Sequence, residues 1–554
     1  VTALLVLLER LLTWLGLRGT PIRALAAGAR RDQVADVRRS LGEDHVAFGR
    51  EMARRGERRP VLALGRSGED DYLLELPAIR GAHVHTQAAP GAGKSRLLAH
   101  VMTSVVEQIG QGAPWSVVLV DPKHETAGLL MRSLGQLLLR ADARTAERIT
   151  RNLVAIRPFA GAFVTPIPGI EPIPGVDVLA HARVVLELAE RTTGAHLGAR
   201  QTQAGVFAIA TLIANRVNLI EAPFLLRDPA RMRALAEAVP EPAIRAYFRS
   251  GAFARESQQT LSGLVSRFEA ILGISSIKPM FASDEPLDLR RVFEPGSICV
   301  VDLGGAPLGA GALVDTVGAL LLSRLAFAAF DQSIENRAEG TLFVIDELAQ
   351  LATPSVIEAV ERILVTGRWL GLCLWTAAQY GGQLPALDRL LNANTRIRCF
   401  GRTSAREVDG AALDALPVTG RRLKPSRPGE ARDGIELMSE AEEIREWTRR
   451  IGRLAPRDFV VADRAAPFAP RLVRVPAFEP PAWDALPAQI RETLERGAFG
   501  RPRAELLARA REIEQAAADR LFASPAAAAV GQPRGAQTIR LPDIASARRG
   551  MRGR

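Results

Sequence analysis

Residues 87–95 read Gln-Ala-Ala-Pro-Gly-Ala-Gly-Lys-Ser, between an alternating run through Ala82, Val84 and Thr86 and a helical run through Leu97, Leu98, Val101 and Met102. Strand, small-residue turn, Lys-Ser pair and helix make the architecture of a phosphate-binding loop. This feature constrains the fold most, because such a loop works only when a strand delivers it to a helix N-terminus. The small residues Ala89, Gly91, Ala92 and Gly93, with Pro90 among them, let backbone N–H groups turn inward around phosphates, and the helix adds its partial positive charge. Lys94 would then reach the β- and γ-phosphates of a nucleotide, and the Ser95 hydroxyl would sit on Mg²⁺. One position departs from the consensus, which has glycine where Ala88 stands.

Lysine usage sharpens this reading. Lys94, Lys123, Lys278 and Lys424 are the chain's lysines, while arginine is everywhere. A chain that replaces lysine so thoroughly has kept it in the loop, where a compact ammonium is needed and a guanidinium does not substitute. Lys123 follows the next apolar strand, in Asp121-Pro122-Lys123-His124-Glu125.

At 554 residues, 47% hydrophobic and 24% charged, the chain suits two or three globular domains with large cores. Its net charge of +11 points to a polyanionic partner, nucleic acid or an anionic membrane surface, or else to an arginine-biased genome. Cys299, Cys373 and Cys399 lie in apolar runs without disulfide or zinc-ligand spacing, which predicts a reducing compartment. Leu4, Leu5, Leu8, Leu11, Leu12 and Leu15 recur at helical spacing, but Glu9 and Arg10 interrupt the run. Residues 1–17 therefore read as an amphipathic helix at a membrane surface or against a partner, rather than a span or a signal peptide.

Five segments follow from pattern. Residues 1–59 form a basic helical lead-in, 60–177 a first nucleotide-binding part that ends in a proline-rich stretch, and 178–285 an almost purely helical block. Residues 286–480 bring strands back at Ile298–Asp302, Leu342–Asp346, Leu372–Thr376 and Ile397–Phe400, with a strand pair at Phe459–Ala462 and Arg471–Val475. Residues 481–554 read as helical and then as a disordered basic tail. Apolar strands between amphipathic helices indicate a mostly parallel α/β sheet covered on both faces.

Thr341-Leu-Phe-Val-Ile-Asp346-Glu347 is an apolar strand ending in paired acids, where a phosphate-loop fold places its second nucleotide motif. Asp346 would hold Mg²⁺ and Glu347 would polarise the attacking water. Taken alone, the pair also fits a helix N-cap with a first-turn acid. About 250 residues separate Lys94 from Asp346, far more than a compact nucleotide core needs, so the helical block is an insertion. Downstream, Gln379 ends the strand after the acidic one and can sense the γ-phosphate. Arg368, between Gly367 and Gly371, fits an arginine finger reaching a neighbouring subunit, or simply another surface arginine.

Together these pieces resemble the type IV coupling proteins of bacterial conjugation and type IV secretion, ring-forming DNA-translocating ATPases of the RecA-like, FtsK/HerA-related group. The matching segments are Ala89–Ser95, Asp121–Glu125, Ile345–Leu348, Gly367–Gly371 and Gln379, with Leu391–Arg398 and the Leu454–Val461 run, all within about residues 60–480. The resemblance implies a RecA-like P-loop fold with an inserted all-α domain facing the cytoplasm and the substrate. It implies ATP and Mg²⁺ as cofactors, and ATP bound between subunits of a homo-oligomeric, hexameric ring. It implies DNA, single-stranded, as cargo, with a relaxase and secretion components as partners. The implied location is the bacterial cytoplasm, at the inner face of the inner membrane. That family carries transmembrane helices ahead of its ATPase, for which only residues 1–17 stand here. A soluble translocase for double-stranded DNA, and a docking platform that uses ATP as an assembly switch, are the rival readings.

Overall fold

The computed structural model describes residues 60–523 apart from 194–196, 257, 274–275, 308–309, 332–333, 381, 384, 405–436 other than 416, 466–469 and 478. The expected amphipathic lead-in and basic tail lie outside the described residues.

Five short apolar runs become neighbouring strands because each is buried on both faces. β3 (His83–Gln87), β4 (Trp115–Asp121), β7 (Ile298–Asp302), β8 (Gly340–Ile345) and β9 (Leu372–Ala378) are buried along their whole length. With β5 (Leu153–Ile156) and β10 (Thr395–Phe400) they make seven parallel strands in the order β10-β3-β9-β8-β4-β7-β5. The sheet continues antiparallel from β10 through β11 (Asp458–Asp463), β12 (Arg471–Arg474), β1 (Val61–Ser67) and β2 (Asp70–Glu75), eleven strands in all. This is the expected mostly parallel α/β sheet.

The helix Lys94–Gly110 lies on one face and buries Leu97, Leu98, Val101, Met102, Val105 and Ile109 against it, at three-to-four spacing. Each such side chain contributes about 1.5–3 kcal/mol. The helix Gly311–Ala329 covers the other face. Among the described residues it alone is long and apolar enough to cross a membrane, but 78% of its apolar window is buried inside the protein. Cys299, Cys373 and Cys399 are free and buried within these strands, and burial pushes each thiol up to about 12.

Between β6 (Phe163–Val164) and β7 the chain is helical, from Val178–Thr193 to Lys278–Phe281. The segment after residue 480, read from the sequence as helical but given no role there, ties this block to the sheet. Helix Ala488–Arg496 packs on helix Glu125–Arg140 and β5, and β13 (Arg501–Pro502) pairs with β6. Helix Arg503–Phe522 then buries Leu506, Ala510, Ile513 and Ala517 against the helical block. Arg503 donates to five carbonyls, those of Arg157, Pro158, Ala160, Gly161 and Ser276. Lys278–Glu514 at 2.5 Å and Arg509–Asp284 at 2.9 Å reinforce the same seam.

Three buried histidines make the fold acid-sensitive. Burial pushes His83 down to about 4, and His85 and His181 down to about 3, with nearby arginines adding to the effect. Unfolded, each takes a proton near pH 6.5. Their stabilisation is therefore complete above that pH and is lost as pH falls from 6.5 toward 4, at up to about 1.4 kcal/mol per pH unit for each. Asp121, Glu107 and Glu171, all raised by burial, offset part of this. Urea midpoints should hold from pH 7.5 to about 6.5 and then drop toward pH 5, and a midpoint constant down to pH 5 would contradict the assignment.

Candidate nucleotide site

The phosphate loop runs from β3 into the helix Lys94–Gly110, with Gly91 at φ 74 and Gly93 at φ 100. Both values belong to the left-handed region that only glycine adopts freely. At Gly93 a β-carbon would also press on the Arg457 backbone at 3.0 Å. The loop is fastened from behind, since the Ala89 N–H donates to Arg402 O at 2.9 Å and the Arg457 N–H to Ala92 O at 2.8 Å. The departure at Ala88 has a structural answer. Gly401, at the end of β10, faces it, and a β-carbon on Gly401 would come within 2.7 Å of Ala88 Cβ. The space that a consensus glycine would leave at position 88 is left by Gly401.

Lys94 is 9% exposed and points at the acidic strand end. Its Nζ lies 2.8 Å from Asp346 Oδ1 and 2.5 Å from Glu347 Oε1. Burial alone would lower the ammonium, but the two carboxylates outweigh it and raise it. Gln379 Nε2 donates to the same Glu347 Oε1 at 2.8 Å, and Lys123 Nζ lies 3.3 Å from it. Burial would raise the Glu347 carboxyl; the charge and hydrogen bond of Lys94, then Gln379 and Lys123, reverse this and hold it below the usual range.

The helix-cap alternative for the acidic pair does not hold. Glu347 occupies the N-cap position of the short helix Leu348–Leu351, but it sits at φ 52 and its side chain makes no capping bond. The left-handed backbone turns the carboxylate away from the helix and into the loop.

Asp346 stands in a row. Asp121, Asp302 and Asp346 end, or directly follow, the adjacent strands β4, β7 and β8, with Asp121 opposite Asp302 in the ladder. Each has its own partner. Thr126 Oγ1 donates to Asp346 Oδ2 at 2.6 Å. Asp121 accepts the Lys123 and Ala127 N–H groups at 2.8 Å each and so builds the turn after β4; burial and then the Asp346 charge push it up to about 6 despite those bonds. Asp302 meets His124 Nδ1 at 2.9 Å and Arg157 Nε at 3.2 Å, and its hydrogen bond raises the imidazole above its ordinary value. Ser95 Oγ donates to Glu125 Oε2 at 3.2 Å.

Lys94, Asp346, Glu347 and Gln379 thus come together, although the last three follow the first by about 250 residues or more. Arg368 does not join them. It is exposed on the turn Gly367–Leu370 before β9, while Gln379 follows the far end of that strand. Seven residues at ~3.3 Å each put the two about 20 Å apart, beyond opposite ends of β9. Trp369 beside it is 62% exposed and Val365 57%.

Sequence reading missed Thr126, Asp302 and Arg457. Asp302 carried a signal, as an apolar run ending in aspartate just like the Asp346 run. Thr126 carried none, and Arg457 lay in the Leu454–Val461 run without a role of its own, because their positions depend on how distant strands pair.

The order β10-β3-β9-β8-β4 sets the acidic strand two places from the loop strand, with the glutamine strand between. That order, with a lysine-bearing loop on β3, defines a RecA-like P-loop fold. The donors fit its cofactor: Lys94 and the glycine turn suit phosphates, and the Ser95 hydroxyl and Asp346 carboxylate are hard oxygen donors suited to Mg²⁺. No family model and no curated protein matches the chain. Among solved structures it is similar to VirB4 of Thermoanaerobacter pseudethanolicus (14% identity, TM-score 0.46, covering 75% of this chain and 96% of that one). It is similar also to the bacterial conjugative coupling protein TrwBΔN70 in a trigonal form with sulphate (16% identity, TM-score 0.45, covering 78% and 94%).

Proposed function

We propose that the chain is an ATPase of the type IV coupling kind, an ATP-driven DNA translocase that works as a homo-oligomeric ring at the cytoplasmic face of the bacterial inner membrane. The observation that carries the ATPase reading is Glu347. It is twisted into a left-handed conformation, freed from any capping role, and aimed with Gln379 at the loop lysine. A chain that only bound nucleotide would have no use for a poised carboxylate there.

The chemistry follows from the ion pairs. Lys94 is shared between Asp346 and Glu347, and phosphate oxygens compete for the same ammonium. When Lys94 turns to the phosphates, Glu347 loses its strongest counter-charge and becomes a better proton acceptor. Ser95 and Asp346 would hold Mg²⁺, which supplies charge neutralisation at the phosphates. Gln379, hydrogen-bonded to Glu347, orients the carboxylate toward the attacking water. Arg368 acts in a neighbouring subunit. The excess of arginine binds the phosphate backbone of the cargo, and a relaxase that arrives with the DNA would dock on the helical block.

The test measures ATP turnover of the purified full-length protein with and without single-stranded DNA, at several salt concentrations. Turnover should rise with DNA, and DNA affinity should fall steeply with salt as counterion release dictates. Hydrolysis that ignores DNA, with a flat salt profile, would overturn the translocase reading and leave the arginine content to genome bias.

A further inference from the structure

The turn between β4 and the helix Glu125–Arg140 carries a histidine in a conformation that favours glycine. His124 sits at φ 70, where a β-carbon crowds the backbone. Its side chain has a definite use. His124 Nδ1 lies 2.9 Å from both carboxylate oxygens of Asp302 on β7. Asp302 is held in turn by Arg157 Nε at 3.2 Å and by the Gly304 N–H at 3.0 Å. The surroundings are cut to fit the ring. A β-carbon at Gly304 would collide with His124 Cβ, and one at Gly128 would meet His124 Nε2 at 3.0 Å.

Three residues that flank His124 in sequence contact the nucleotide site. Lys123 Nζ is 3.3 Å from Glu347, Glu125 accepts from Ser95, and Thr126 donates to Asp346 at 2.6 Å. Three site contacts therefore leave one short turn, and an imidazole–carboxylate bond pins the turn from outside the site. Asp121 pins the turn's backbone from the other side through the Lys123 and Ala127 N–H groups.

We propose that His124 is a positioning residue of the nucleotide site: tethered to Asp302, it fixes the turn so that Lys123, Glu125 and Thr126 meet Glu347, Ser95 and Asp346. It touches none of the reacting groups. This rests on the ATPase reading above, and the test separates the two. His124→Gly suits the backbone and removes the tether; Asp302→Asn keeps the shape and removes the charge. Both should bind ATP within about twofold of wild type while kcat falls about 10–100-fold, the scale of a slightly misplaced group. The double variant should be no slower than the slower single one, because one variant removes and the other weakens the same bond. His124→Asn, which tolerates the left-handed backbone and keeps a donor, should recover part of the loss. Amide exchange over residues 123–127, read without turnover, should accelerate in His124→Gly and in Asp302→Asn. Wild-type kcat in His124→Gly, or a loss of ATP affinity as large as the loss of kcat, would overturn the proposal. If the wild-type protein hydrolyses no ATP, the ATPase reading fails instead, and unchanged amide exchange in both variants would then dispose of the tether as well.

Discussion

Glu347→Gln is expected to bind ATP with wild-type affinity and to hydrolyse it about 10²–10⁴-fold more slowly, the range a positioned general base contributes. The substitution keeps the shape and the Gln379 contact but removes the proton acceptor. The wild-type side chain accepts from Lys94 at 2.5 Å and from Gln379 at 2.8 Å, and its carboxyl is held ionised. Because it makes no capping bond, its loss should not weaken the short helix that follows. Thermal midpoints of variant and wild type should therefore agree within a few degrees, and ATP-bound rings should accumulate. Single-turnover hydrolysis in the purified variant reads the chemical step directly. A wild-type rate there would remove Glu347 from catalysis and transfer the water-activating role elsewhere.

Arg368→Ala is expected to leave ATP binding intact and to lower hydrolysis by about 10³–10⁵, the contribution of an arginine finger. The structure sharpens the geometry of this expectation. Arg368 stands about 20 Å from Gln379, at the opposite end of β9, so it cannot serve the site of its own chain. It is exposed, beside the exposed Trp369 and Val365, on a turn wedged against Gly81, where any β-carbon would strike the Arg368 backbone at 2.5 Å. A rigid turn that presents an arginine next to exposed apolar groups suits contact with a second copy of the chain. Mixing provides the test. Arg368→Ala and Lys94→Ala should each be inactive alone, but in a mixed ring an Arg368→Ala subunit would keep its phosphate loop and receive the arginine of its Lys94→Ala neighbour. Turnover should reappear on mixing. Mixed rings without turnover, or full activity of Arg368→Ala alone, would make this residue one more surface arginine.

Local pattern carried much of the fold. The apolar runs at Ile298–Asp302 and Leu372–Thr376 announce β7 and β9 almost to the residue, because strands buried on both faces leave no choice of composition; the run at Arg471–Val475 announces β12, in which only Val473 is buried. Lys94, Asp346, Glu347 and Gln379 were legible because strand ends and a glycine turn mark them. What pairing decides was not legible. Nothing near Ala88 in sequence says that Gly401 will make room for it, and nothing near Asp302 says that His124 will arrive to take it. The seam formed by Arg503 was invisible for the same reason, since its five acceptors are backbone carbonyls of residues 157–161 and 276.

The strand order also sets a timetable for biosynthesis. β3 lies between β9 and β10, which are encoded about 300 residues later. At roughly 5–20 residues per second a ribosome needs about 15–60 s to supply them. Throughout that interval the strand that carries the phosphate loop has been made but has neither of its neighbours, and its two unpaired edges are open to the wrong partner. Newly made chains should therefore depend on a holding chaperone until the last third of the protein has emerged. A premature stop anywhere before β9 would leave a product that aggregates rather than one that folds in part.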